Sequence, residues 1–196
     1  MVMDKLIDFV RIENAIPEEF CDEIVKEISN NPHWGTHSYH PGFNRPTVTH
    51  FPPTEFEFLD AEEQLSLKLM PYVERVMRSY NTFINQNNSF EGYDSETGVT
   101  TCTPIRFNRC RIHTLVEAHH DHIHELFGKG NKSIPSVSVV GLLNDSFTGG
   151  EFVMFKDTDM KLKKGDIIVF PSNYLYPHRV EKVKSGVRVS FVTWAF

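Results

Sequence analysis

Residues that bind metal well crowd the middle of this chain. His119-His120-Asp121 sets two imidazoles beside a carboxylate, His178 follows 57 residues after the aspartate, and Arg188 comes ten residues later. Side chains two apart on a β-strand share a face. His119 and Asp121 should therefore converge, with His120, His122 and His124 pointing to the other side. His178, from a distant strand, would complete a set of two imidazoles and one carboxylate. Such a set leaves three coordination positions open on one side of the metal, which suits ferrous iron handling a chelating cosubstrate and dioxygen. Zinc more often takes denser nitrogen or thiolate ligation. A zinc hydrolase would also need a water-activating carboxylate, for which Glu117 and Glu151 are the nearby candidates. Four histidines within six residues are also compatible with a solvated tract that binds metal adventitiously.

The end of the chain argues for a built site. Arg188, Ser190, Val192 and Trp194 fall on one face of a strongly β-prone segment. Charged residues are rarely buried without a partner, and a carboxylate offers a guanidinium a bidentate match. An arginine ten residues after His178 thus points to an acidic cosubstrate held beside the metal.

The elements that must position these groups change character along the chain. The first third reads helical. Pro17-Glu18-Glu19 suits a helix start, and Phe20, Ile24 and Ile28 form a stripe with Val25 beside them. Asn30-Asn31-Pro32 stops that helix. A second helix is expected over about 61–81, carrying Leu65, Leu69, Val73, Val76 and Tyr80, and Pro71 should kink or split it. Residues 32–53 and 85–101 read as long irregular loops, candidates for lids over a substrate. From about Thr103 the texture becomes short strands divided by turns, with Thr148-Gly149-Gly150 and Lys164-Gly165-Asp166 as turn signals. An antiparallel sandwich or barrel is the expected result.

Composition bounds the class. A chain of 196 residues, 40% hydrophobic and 23% charged, suits one globular domain. Its two parts would be helical support and loops over 1–102 and the β core over 103–196. The formal charge of −6 argues against a general nucleic-acid or membrane-surface binder. Cys21, Cys102 and Cys110 follow no metal spacing and suggest a reducing compartment. No apolar run approaches the roughly 20 residues of a membrane span, and charge interrupts the N-terminus too early for a signal peptide. A cytoplasmic protein is expected.

The ordered set from about Ile105 to Trp194 resembles the 2-oxoglutarate- and iron(II)-dependent dioxygenase superfamily, nearest its prolyl 4-hydroxylase-like branch. The matching pieces begin with His119-His120-Asp121 and Leu143-Asn144-Asp145, then Gly149-Gly150-Glu151-Phe152 and Lys164-Gly165-Asp166 leading to Phe170. His178-Arg179-Val180, Ser185 through Ser190, and Trp194 complete them. The resemblance implies a mainly β double-stranded β-helix, a jelly-roll or cupin-like barrel, with N-terminal helices packed on it. It implies that His119, Asp121 and His178 bind Fe(II), that Arg188 pairs with the distal carboxylate of 2-oxoglutarate, and that Ser190 adds a hydrogen bond. Dioxygen is the other cosubstrate. Trp194 would line the substrate pocket or fill the core. No side-chain general base is required beyond the metal ligands.

The carboxylate of Asp121 argues against halogenating variants, which lack it. Where the branch often carries a tyrosine on the first barrel strand, this chain has Cys110, with Asn108 on the same face as a possible substitute. His113 and Thr114 stand where a glycine is usual. The implied function is hydroxylation of an unactivated C–H bond, with peptidyl proline, a free amino acid or another small molecule as substrate. A non-catalytic metal-binding barrel is the competing reading.

Overall fold

The computed structural model describes residues 3–38, 55–88, 99, 101–121 and 135–196. In chain order it contains α1 (Met3–Leu6), a 3-10 turn (Ile7–Phe9), β1 (Arg11–Asn14), α2 (Glu18–Ser29), β2 (Gly35–Ser38), β3 (Glu55–Asp60) and α3 (Glu63–Asn88). There follow β4 (Arg106–Cys110), β5 (Val116–His119), β6 (Val137–Leu142), β7 (Phe147–Gly149), β8 (Phe152–Met154) and β9 (Thr158–Asp159). The last four strands are β10 (Asp166–Pro171), β11 (His178–Val180), β12 (Val183–Gly186) and β13 (Arg188–Ala195).

Seven strands form one sheet in the order β1-β10-β6-β13-β4-β3-β2, and β5-β11-β8-β9 form a second. A short β12–β7 pair makes a third ladder. Strand β13 is central and buried along its whole length, so both of its faces meet packed side chains. Val189, Phe191 and Ala195 face the helices and share a core with Ile24 and Ile28 of α2 and Leu69, Val73 and Val76 of α3. Val192 and Trp194 face the other way, into a core with Phe152, Phe170 and Val180 of the barrel interior. Period-two alternation thus gives one strand an apolar side for the helices and another side for the site.

Close packing along β13 depends on Gly141. It lies opposite Phe191 in the β6–β13 ladder, and a Cβ there would come 2.0 Å from the Phe191 ring.

Several expectations need correction. The region before residue 103 supplies three strands of the large sheet as well as helices. Helix α3 runs unbroken through Pro71 to Asn88, beyond the expected end near 81. Proline removes the donor that would bond the Leu67 carbonyl, but Pro71 and Leu67 are on the exposed side, where water can take that role. In α2, Cys21 is fully buried beside Ile24 and Ile28, whereas Phe20 is only partly buried. Thr148-Gly149 belongs to β7, not to a plain turn. Strand β2 falls inside the expected 32–53 loop, and the end of α3 inside the 85–101 loop. Residues 39–53, 89–98 and 100, where those lids were expected, lie outside the described residues. No described helix is long and apolar enough to cross a membrane.

Candidate active site

Strands β5 and β11 bring the metal-binding residues together. His178, the first residue of β11, pairs directly with His119, the last residue of β5. Their rings lie 4.3 Å apart, centroid to centroid. Asp121 sits in a bend just past β5, so the bend, not strand parity, turns its carboxylate back towards the two imidazoles. Asp121 Oδ1 is 3.4 Å from His119 Nε2 and 3.7 Å from His178 Nε2. Among the described residues these three alone form a group able to hold a metal ion. His120 is not part of it, nor are Glu117 and Glu151. His122 and His124 lie outside the described residues.

Hydrogen bonds fix which ring nitrogen faces the centre. His119 Nδ1 lies 2.7 Å from the Glu117 carbonyl, and His178 Nδ1 lies 3.2 Å from the Tyr176 carbonyl. A carbonyl oxygen only accepts, so each Nδ1 carries a proton, and Nε2 is the nitrogen each ring can offer a metal. Phe152 stacks on His178 and Phe170 meets it edge-on. Burial among these groups pushes the His178 imidazole down to about 4, so it is neutral near pH 7. For His119, burial also disfavours the cation, but the hydrogen bond and charge of Asp121 outweigh it and raise the value. Burial would raise the Asp121 carboxyl, yet the facing His178, His119 and Ser138 hold it well below the usual carboxylate range.

Ser138 Oγ donates to Asp121 Oδ2 at 2.6 Å and lies 2.6 Å from Ser172 Oγ. Nothing in the sequence marked these serines as part of the site. The available signal was a serine at 138 within the apolar run of β6, on the same parity as Val140.

Arg188 begins β13 and is 2% exposed. Its Nε donates to the Gly150 carbonyl at 3.0 Å, and its Nη1 donates to Ser190 Oγ at 2.8 Å. Both acceptors are neutral, and no described Asp or Glu forms an ion pair with it. Gly150 has φ of +67°, and a Cβ there would come 3.0 Å from Arg188 Cδ. Glycine therefore lets the backbone both turn and approach the guanidinium. Across the ladder, Cys110 pairs with Arg188 and Asn108 with Ser190. Asn108 Oδ1 is buried without a hydrogen-bond partner. The same amide, turned over, would present N–H donors beside Ser190. Burial raises the Cys110 thiol, against the lowering influence of Arg188 and a Thr114 hydrogen bond.

Trp194 is 8% exposed and stands opposite Ser138 in the ladder, towards the metal-binding end of the barrel. The Arg106 guanidinium lies over its ring, 5.9 Å from the centroid.

Two imidazole Nε2 atoms, an ionised carboxylate and a buried arginine with no counter-anion among the described residues fit Fe(II) and an acidic cosubstrate. Two antiparallel sheets enclosing a His-Asp-His group define a double-stranded β-helix of the kind that 2-oxoglutarate oxygenases share. Residues 105–196, just under half of the chain, match the 2OG-Fe(II) oxygenase superfamily, and it is to that superfamily that this region is similar. A PKHD-type hydroxylase of Thermosynechococcus vestitus is 38% identical over 99 residues, covering 46% of this chain and 42% of its own length. The chain therefore spans less than half the length of this relative. A prolyl hydroxylase of Trichoplax adhaerens, solved with a hypoxia inducible factor peptide, superposes with a TM-score of 0.64 at 14% identity. That match covers 100% of this chain and 89% of the other. A Pseudomonas putida prolyl-4-hydroxylase gives a TM-score of 0.59 at 16% identity, covering 98% and 97%. At such identities the structural likeness speaks to the fold.

Proposed function

We propose that this protein is a 2-oxoglutarate- and Fe(II)-dependent dioxygenase that hydroxylates an unactivated C–H bond, with peptidyl proline as its leading substrate. The observation that carries the reading is Arg188, a buried guanidinium with no described counter-anion, in the same barrel as the His119, Asp121 and His178 group. Fe(II) and 2-oxoglutarate, when bound, supply oxidative decarboxylation to succinate and carbon dioxide, coupled to insertion of one oxygen atom of dioxygen into the substrate.

The chain's own residues bind, orient and exclude water. His119 and His178 offer their Nε2 atoms, and Asp121 offers an ionised oxygen. Arg188 and Ser190 hold the distal carboxylate of the cosubstrate, and Asn108 adds the contact for which Cys110 has no suitable group. Phe152 and Phe170 dry the wall beside His178. Trp194 lines the substrate side. No side chain has to abstract a proton in the hydroxylation itself.

A peptide substrate draws support from the prolyl hydroxylases that share the fold and from Tyr174 and Leu175, 73% and 43% exposed on the segment leading into His178. A second reading, a metal-binding barrel without catalysis, draws on the buried thiol of Cys110 opposite Arg188. The cytoplasm is the compartment we propose, supported by three thiols that are all free in the fold. We also take the chain as one folding unit, because the helices and the large sheet share a core.

Anaerobic addition of Fe(II) and then 2-oxoglutarate should produce a weak visible charge-transfer band. Asp121→Ala should abolish it, and Asp145→Ala, at an exposed position, should keep it. Absence of the band from folded, metal-loaded protein overturns the proposal. Succinate release across a panel of prolyl peptides, free amino acids and other small molecules then identifies the substrate class. A normal band with no turnover above the uncoupled background would favour the non-catalytic reading.

A further inference from the structure

We propose that Ser172 and Ser138 form a directional hydroxyl relay that fixes Asp121 as a single-oxygen metal ligand, making Ser138 a positioning residue of the site. This inference rests on the metal-binding reading above. Ser138 is 0% exposed and Ser172 is 1% exposed, so bulk water does not compete for either hydroxyl. Each hydroxyl has one proton to give. An ionised carboxylate only accepts, so the Ser138 proton goes to Asp121 Oδ2 at 2.6 Å. Ser138 Oγ must then accept at its other contact, which makes Ser172 the donor across 2.6 Å. Donating into an ionised group polarises the whole chain and strengthens both bonds.

The relay divides the labour between the two carboxylate oxygens. Oδ2 is occupied by Ser138, and Oδ1 is the oxygen that lies 3.4 Å and 3.7 Å from the two imidazole nitrogens. A carboxylate free to swing could present both oxygens to the metal and take one of the three positions that a chelating cosubstrate and dioxygen require. Holding Oδ2 keeps that position open.

The relay also joins the ligands through a short connection. Ser172 directly follows β10, and His178 opens β11 six residues later. One end of this segment reaches Asp121 through Ser138, and the other orients His178 through the Tyr176 carbonyl. Inside it, the Asn173 side chain accepts from the Leu175 N–H at 2.9 Å, and the Asn173 carbonyl accepts from Tyr176 N–H at 3.0 Å. These local bonds hold the span between two of the three ligands.

The test uses Co(II), whose visible bands report ligand geometry, titrated into the metal-free full chain. Wild type should bind it and give defined bands that shift when 2-oxoglutarate is added. Ser138→Ala should weaken Co(II) binding by about tenfold or more, the scale seen when a group supporting a metal ligand is removed, and should move the bands. Ser172→Ala should act in the same direction but by less, since the inner hydroxyl keeps its bond to Asp121. Thermal melting of the metal-free variants reports whether each is folded. A folded Ser138→Ala protein with wild-type affinity and wild-type bands overturns the relay and leaves the metal-site reading standing. If Ser138→Ala does not fold, Ser172→Ala decides: wild-type binding and spectrum overturn the relay. Failure of folded wild type to bind Co(II) or Fe(II) overturns both.

Discussion

A guanidinium buried to 2% exposure is costly unless something compensates its charge. The Gly150 carbonyl and the Ser190 hydroxyl satisfy two of the five N–H donors of Arg188 but bring no negative charge. Burial accordingly lowers its pKa. The proposed dicarboxylate cosubstrate would supply the missing charge. Arg188→Met should therefore weaken 2-oxoglutarate binding by roughly 30-fold or more, corresponding to the ~2 kcal/mol lower bound for breaking a buried charge pair. Fe(II) affinity should stay near wild type, because the imidazoles and Asp121 are held by other partners. Titrating the charge-transfer band against 2-oxoglutarate separates the two effects. An equal loss of both affinities would mean that Arg188 supports the barrel and not the cosubstrate. Lysine should rescue only in part, since an ammonium cannot reproduce the guanidinium's two-pronged geometry.

At the scale of elements, β13 carries both the helix-facing core and the site, so packing faults on one side should be felt on the other. Gly141 and Phe191 face each other across the β6–β13 ladder, and a methyl group at 141 would overlap the ring. Gly141→Ala should destabilise the fold by about 1–3 kcal/mol, as overpacking does. Shortening the neighbour to Phe191→Leu should recover part of that cost in the double variant, a coupling measurable in a urea-denaturation cycle. Strictly additive losses would place the strain elsewhere.

The same ladder shows what was legible in the sequence. Arg188, Ser190, Val192 and Trp194 were readable as one face because β13 is long and regular, and His119 and His178 because ligand types are chemically distinctive. Strand β1 was missed because Arg11-Ile12-Glu13-Asn14 lies at a sheet edge, with Ile12 exposed and little apolar contrast. Strand β3 did announce itself in the alternation of Glu55-Phe56-Glu57-Phe58, but it follows Pro52-Pro53 in a stretch that reads as loop. The full reach of α3 was hidden because a proline penalty depends on which side faces water. The Ser138–Ser172 pair was the least legible, its one trace being a serine within the apolar run of β6. Ser138 and Ser172 are 34 residues apart and meet only after β6 and β10 pair.

For the molecule as a whole, the strands added ahead of the β core are tied to it by charge as well as by backbone pairing. Glu57 of β3 accepts from Arg109 Nε at 2.7 Å and Nη2 at 3.0 Å, and from Arg111 Nε at 2.7 Å. Arg109 in turn lies over the Trp34 ring, 4.1 Å from its centroid. Desolvation alone would raise the Glu57 carboxyl, but hydrogen bonds and charge from the two arginines outweigh it and lower the value below 4.5. A carboxyl whose folded value lies below its unfolded value favours the folded state above the unfolded pKa. That contribution should thus be full above about pH 4.5 and fade as pH falls through the lower folded value. Glu57→Gln removes the titration while keeping the shape and some hydrogen bonding. Wild type should be the more stable protein near neutrality, and its advantage in denaturation midpoint should shrink steadily as the metal-free proteins are compared from pH 6 down to about 3. Working without metal keeps ligand release at Asp121 out of the comparison, and the depressed Asp121 titration, common to both proteins, cancels in the difference. An advantage that does not change with pH would show that Glu57 acts through its shape and neutral contacts to Arg109 and Arg111, and that its charge contributes nothing to joining β3 to the barrel.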